Sequence, residues 1–359
     1  MTNERGIPEA SRTHDAMQLI EKLETEHALC CEEWVALLSM QDSPALREHL
    51  FERARAVRDE HYGRQVFLRG LIEYSNYCKN DCYYCGIRAS NANLRRYRLT
   101  LDEILACCEQ GYDLGYRTFV LQGGEDPKAP LVEIVGALRT CFPDCAITVS
   151  AGELPREIYQ QLFDVGADRY LLRHETADPH HYGALHPASM SLEKRKTCLT
   201  ALRDIGFQVG SGFLVGAPGQ TSESMAVNFA FLHELDPHMI GIGPFIPHSS
   251  TPFACKPAGT MEETLFLLAC LRLAHPRALL PSTTALATID PQGRMAGLDA
   301  GANVIMPNLT PTIYRGDYAL YNGKLATGLE AAEQHDELEA ALAGQGYVVE
   351  ASRGDSLVV

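Results

Sequence analysis

The sequence predicts an α/β chain built as a (β/α)8 TIM-type barrel, with an N-terminal helical cap and a short C-terminal extension. Three observations predict it. Eight short apolar runs recur from Val66 onward. Amphipathic stretches of about 12 residues separate most of them. Unusual polar residues gather just after the runs, where such a barrel carries its chemistry. The alternative arrangement is an open doubly wound sheet.

The elements follow in order. Residues 12–62 carry apolar side chains at helical spacing, as in "DAMQLIEKLE" and "CCEEWVALLSM". Ser43 is placed as an N-cap with Pro44 at the first helical position. From Val66 the period shortens. The candidate strands are "VFLRGLIE", "TFVLQ", "AITVS", "RYLLR", "VGSGFLV", "MIGIG", "LLPST" and "NVIMP". Helices such as "LVEIVGALRTCF" and "LEKRKTCLTALRDIG" lie between them, and alternation of this kind implies parallel strands. Gly115, Gly166 and Gly206 stand where helices should end in a left-handed residue. The expected divisions are a helical segment over 1–65, a barrel over 66–322, and an extension over 323–359 packed on its outside.

Composition bounds the partners. The 359 residues are 46% hydrophobic and 21% charged, with a formal net charge of -15. An acidic chain repels phosphate backbones, so nucleic acid is not an expected partner. No apolar run is long enough to span a bilayer. The N-terminal "MTNERGIPEASRTHDAM" lacks the apolar centre of a signal peptide, so a cytoplasmic location is expected. Twelve cysteines in such a chain should be thiols or metal ligands rather than disulfides.

Three of them, Cys78, Cys82 and Cys85, form CxxxCxxC in "EYSNYCKNDCYYCGIRASN" after the first strand. Thiolates ligate iron–sulfur clusters. Three of them can hold three irons of a [4Fe–4S] cube and leave the fourth iron open for another ligand. A zinc site with a distant fourth ligand, or three unrelated thiols, are the other readings.

The triplet, with Tyr84 before its last cysteine, resembles the signature of the radical S-adenosylmethionine (SAM) superfamily. The resemblance implies that SAM chelates the open iron and that an external donor supplies an electron. It also implies positions for the cofactor. Gly123, Gly124 and Glu125, in "GGED", would meet its amine end, and Tyr84 would border the adenine. Thr148 and Ser150, on one face of the third strand, would lie toward the ribose. Glu175 and Arg195 would form a charge pair for the zwitterion. Each has a plainer reading as a turn, an ion pair, a cap or core packing.

Further stretches resemble the HydE family of [FeFe]-hydrogenase maturases: "YCKNDCYYCGIR", "TFVLQGGED", "RYLLRHETADP", "GAPGQT", "GIGPFIPHSSTP", "STTALATI" and "GANVIMPNLTP". That resemblance spans roughly Val66 to Gly323. It implies an anaerobic pathway and a small organometallic or amino-acid-derived thiol substrate, with the maturases HydG and HydF as partners. Arg173, Thr283 and Thr284 would hold a carboxylate, and Gln122, His174, Met306, Tyr318 and Tyr321 would line the cavity. Alternation along the strand end sets Arg173 and Glu175 on one face and His174 on the other, which gives His174 an orienting or structural part. No cysteine follows Cys270, so no second cluster is expected. The competing readings are a methylornithine synthase-like mutase, biotin synthase, and a non-catalytic iron–sulfur carrier.

Overall fold

The structure is a computed structural model that describes residues 9–358. The first eight residues of the stretch expected to lack a signal peptide, and Val359, lie outside the described residues. The chain opens with helices α1 (Glu9–Glu26), α2 (Cys31–Leu38) and α3 (Pro44–Tyr62). The Ser43 hydroxyl accepts from the Leu46 N–H, and Pro44 begins α3, as the capping pattern predicts. Ile20, Leu23, Leu46 and Leu50 are buried in the same core as the strands that follow.

The strands and helices then alternate. The first group is β1 (Gln65–Leu68), β2 (Gly70–Ser75), α4 (Leu101–Asp113), β3 (Thr118–Gly123), α5 (Leu131–Cys141), β4 (Ala146–Ser150), α6 (Arg156–Asp164) and β5 (Arg169–Leu171). The second is α7 (Pro179–Leu185), α8 (Leu192–Ile205), β6 (Gln208–Ser211), β7 (Leu214–Val215), α9 (Ser222–Leu235), β8 (Met239–Ile240), β9 (Gly243–Pro244) and α10 (Met261–Ala274). The last is α11 (Thr284–Ile289), α12 (Gly293–Asp299), β10 (Val304–Ile305), α13 (Thr312–Arg315), α14 (His335–Gly344) and β11 (Val348–Glu350). Trp34 of α2 stacks on Phe229 of α9 with ring centroids 3.8 Å apart, which fastens the helical segment to the barrel wall. Gly115, Gly166 and Gly206 all adopt positive φ at or just past helix ends.

The longest ladder is a parallel sheet in the order β2-β3-β4-β5-β6-β8, accompanied by β10-β1-β11 and β7-β9. The closed eight-stranded barrel is met only in part. The gap between β8 and β2 is crossed by isolated parallel bridges, Met239 with Leu279, Pro281 with Val304, and Leu71 with Asn308. The run "LLPST" forms no ladder. Pro281 has no N–H to donate, and a central strand cannot continue through it. Three other expected strands are interrupted, at Arg69, at Gly212 and at Gly241 with Ile242. Gly212 has φ +151, and a Cβ there would collide with the Gly241 carbonyl of the adjacent segment. The tail returns to the barrel's lower end, where β11 runs parallel to β1. Leu338, Leu342 and Tyr347 join the main core, so no boundary in packing separates the tail from the barrel.

Candidate active site

The site stands at the C-terminal ends of the strands. A bulge begins it: Glu73 faces Gln122 and Ser75 faces Gly123, so Tyr74 is the extra residue of β2. Leu71 and Glu73 turn into a cavity of about 360 Å³, while Ile72 and Tyr74 pack in the core. The loop that follows carries Cys78, Cys82 and Cys85, all free thiols of intermediate exposure on the cavity wall.

Backbone bonds hold this loop at several points. Lys79 N–H donates to Glu125 O at 3.0 Å, Tyr83 N–H to Leu185 O at 3.0 Å, and Gly86 N–H to Leu320 O at 2.7 Å. The Arg96 guanidinium donates to the carbonyls of Asn76 and Arg88 at 2.5 Å and of Ile87 at 2.8 Å. Gly124 sits so close that a Cβ would strike the Tyr77 carbonyl and Cys78. The glycine pair therefore serves packing against the cysteine loop as well as any approach to a ligand.

Burial pushes the Cys85 thiol up to about 12, and burial followed by the neighbouring thiols raises Cys82 well above its usual range. The free protein keeps these protons, and ligation by a metal requires their release. Among the described residues, no three His, Cys, Asp or Glu side chains converge to hold one metal ion. A cube needs no such convergence, because each thiolate bonds a different iron. The donor set thus fits a [4Fe–4S] cluster.

Tyr84 lines the same cavity. His186 Nδ1 lies 3.0 Å from the Tyr182 carbonyl and must donate to it. Its Nε2 is then the acceptor for the Tyr84 hydroxyl at 3.2 Å. Burial lowers His186 to about 3, so the imidazole is neutral, as this arrangement requires.

Seventeen of the nineteen predicted site residues line this one cavity: the three cysteines, Tyr84, Gln122, Gly123, Gly124, Glu125, Ser150, Arg173, Glu175, Arg195, Thr283, Thr284, Met306, Tyr318 and Tyr321. Thr148 does not. It is in register with Arg169, below the cavity floor, and lines a separate crevice with Arg69 and Arg169. Its two-residue spacing from Ser150 gave the face correctly but not the depth. His174 is also outside. It is fully buried behind the strand, with Nδ1 2.9 Å from Ser211 Oγ and its ring against Phe231.

The charge pairing differs from expectation as well. Glu175 does not pair with Arg195. It pairs with Arg173 at 3.0 Å, without an aligned hydrogen bond. Its φ is +64, a costly conformation for a side-chain-bearing residue, held by bonds to Gly212 and Leu214. Arg195 instead binds Glu153 at 2.7 Å and donates to the Arg173 carbonyl at 2.7 Å, with Glu125 at 3.9 Å. Lys79 meets Glu125 at 3.1 Å, so Glu125 and Glu153 belong to one network. Glu153 is therefore a site-supporting residue outside the predicted set. Its signal was its place just past the third strand. Asp126 of "GGED" is structural: it accepts from Ser75 at 2.7 Å and is clamped by Arg98. Burial opposes its charge, but Arg98 and Ser75 together hold its carboxyl below the usual range. Thr284 donates to Glu330 at 2.6 Å, whereas Thr283 Oγ1 is buried without a partner. Glu73 and Lys324, in contact at 2.5 Å, are the charged cavity residues that sequence reasoning passed over.

A thiol triplet on a bulged strand end, facing a ring of unpartnered polar groups, is the arrangement of a radical SAM enzyme. Residues 72–232 match the radical SAM superfamily. The chain is 43% identical over 311 residues to the [FeFe] hydrogenase maturase subunit HydE of Thermotoga maritima, an alignment covering 86% of this chain and 88% of that one. It belongs to the HydE family. It is also 31% identical to 3-methylornithine synthase of Methanosarcina barkeri, over 77% of this chain and 78% of the other. A crystal structure of methylornithine synthase superposes with a TM-score of 0.79 at 26% identity, covering 92% of this chain and 97% of that one. The superfamily implies a [4Fe–4S] cluster and SAM as cofactors. Among the described residues, no helix is long and apolar enough to cross a membrane.

Proposed function

We propose that this enzyme acts in [FeFe]-hydrogenase maturation on a cysteine-bound iron carbonyl cyanide precursor, received from HydG and passed on toward HydF. The observation that carries the reading is that one cavity contains both the cysteine loop and the set Arg173, Thr283, Tyr318 and Tyr321. Bound together, the cluster and SAM supply, on one-electron reduction by an external donor, a 5'-deoxyadenosyl radical. Cys78, Cys82 and Cys85 would hold the cluster. Glu125, Glu175 and Arg195, stiffened by Glu153, would hold the methionine end, and Tyr84 and Ser150 the nucleoside. Arg173 would clamp the substrate carboxylate with the free hydroxyl of Thr283. Its unpartnered Nε is available for that bond. Met306, the buried Tyr318 and the half-buried Tyr321 would keep water from the reacting groups.

The experiment is anaerobic incubation of the reconstituted enzyme with SAM, reductant and a cysteine-ligated iron dicarbonyl cyanide complex. Substrate-dependent formation of 5'-deoxyadenosine supports the reading. Methylornithine formed from lysine would favour the second reading, which the likeness to methylornithine synthase keeps in view. An iron count of about four per chain is expected for a single cluster, and six or more overturns that part.

A further inference from the structure

Glu73 is fully buried, yet only half of its carboxylate is used. Lys324 Nζ reaches Oε1 at 2.5 Å, and Oε2 has no partner. Its neighbour across the ladder, Gln122, turns its amide to the Tyr318 hydroxyl at 3.4 Å. The Lys324 ammonium also lies 5.4 Å from the Tyr318 ring centroid, which fixes it beside Oε1. An ionised carboxylate only accepts hydrogen bonds, through both oxygens. A buried acceptor left bare costs about 1–3 kcal/mol, and more when charged. Glu73 lines a cavity large enough for a ligand, so a ligand donor can complete Oε2.

The fixed charges say which donor. Around the whole cavity wall the fixed charges of Arg173, Arg195 and Lys324 are matched by those of Glu73, Glu125 and Glu175. Burial first, then Thr288, then Glu73 and Arg173 with opposite signs, shift the Tyr321 phenol, so Glu73 and Arg173 both lie near that ring. A zwitterionic amino acid adds no net charge there. A carboxylate without an amine adds an uncompensated negative charge, which a buried site resists.

We propose that Glu73 Oε2 receives the ammonium group of an amino-acid substrate whose carboxylate sits on Arg173 and Thr283, with Lys324 holding Glu73 in place. This rests on the amino-acid-derived substrate proposed above and adds the residue that recognises its amine. The C-terminal segment carrying Lys324 then belongs to the substrate pocket itself.

The test is binding, measured anaerobically by equilibrium dialysis on cluster-loaded protein with SAM. The probes are L-cysteine and 3-mercaptopropionate, which lacks the amine. Wild type should bind cysteine more tightly by roughly ten- to a hundred-fold. Glu73→Gln should lose that preference while its affinity for 3-mercaptopropionate stays within about twofold. Because Glu73→Gln leaves Lys324 unpaired, the neutral pair Glu73→Gln/Lys324→Met is measured beside it and should also bind the two probes equally. A variant that keeps the full preference for cysteine overturns the assignment of Glu73 alone. Failure of wild type to hold either probe overturns the amino-acid substrate as well.

Discussion

At the N-terminal ends of the strands, Arg169 donates to Gln208 at 2.9 Å, Thr118 at 3.1 Å and the Arg353 carbonyl at 2.8 Å, and pairs with Asp355 at 2.6 Å. Asp168 is shared there between Arg139 at 2.6 Å and Arg353 at 2.8 Å. At the C-terminal ends, Glu73 Oε2, Glu175 Oε2, Arg173 Nε and Thr283 Oγ1 lack hydrogen bonds. The lower end also has orphans, Arg69 Nε and Thr148 Oγ1. They face a crevice of about 10 Å³, too small for a ligand. One end uses its buried charge to lock the tail onto the barrel, and the other leaves buried polar atoms unpartnered on residues that line a cavity. Stability and chemistry are thereby assigned to opposite ends of the strands.

The contrast can be broken by experiment. Cys82→Ala should remove the cluster and abolish 5'-deoxyadenosine formation, with the melting temperature of the metal-free protein changed by no more than a few degrees. Iron retained at the wild-type level would refute the role given to the loop. Arg169→Leu should do the reverse. Asp355 is half-exposed, so losing that pair costs about 1 kcal/mol or less, while leaving the buried partners of Arg169 unsatisfied costs about 1–3 kcal/mol more, read as a fall in the urea midpoint. Cofactor cleavage per folded, cluster-loaded chain should persist, and its loss would deny that the lower end is structural.

Glu153→Gln sharpens the upper end. Arg195 keeps a hydrogen-bond acceptor but loses the nearer of two carboxylate charges, turning a charged hydrogen bond of about 1.5–3 kcal/mol into a neutral one of about 0.5–1.5 kcal/mol. SAM affinity, measured calorimetrically on cluster-loaded protein, should fall about tenfold. Unchanged affinity would make the network irrelevant to the cofactor.

The smallest effect tests a property common to both ends. Burial lowers His174, behind the site, and His275, near the tail, to about 3. The folded protein holds them neutral, so the unfolded chain binds more protons between pH 6.5 and 3. Their contribution is complete above pH 6.5 and declines as the pH falls through that window. From pH 7 to 6 each should cost under about 1 kcal/mol. His174→Gln and His275→Gln should each flatten the acid limb of a urea-midpoint profile, and an unaltered slope in both would rule the linkage out.

Legibility from sequence followed distance along the chain. The thiol triplet, the Ser43 cap, the glycine helix ends and the opposed faces of Arg173 and His174 all rest on covalent geometry over a few residues. That geometry is local, and the structure matches it. Thr148 was misplaced because alternation gives a face but not a height, and height is set by register with Arg169. The split in "LLPST" was visible as a proline, but its effect on the ladder depended on which strands flank it.

The sequence by itself determined the cysteine loop, the alternation of parallel strands and helices, and the family to which the chain belongs. Only the tertiary structure decided that Arg195 takes Glu153 rather than Glu175, and that Lys324 meets Glu73 from 251 residues away. The reason is physical. Secondary structure and motif spacing follow from bonds and periods within one segment, whereas a buried charge finds its partner only after strand register and packing have brought distant segments to the same place.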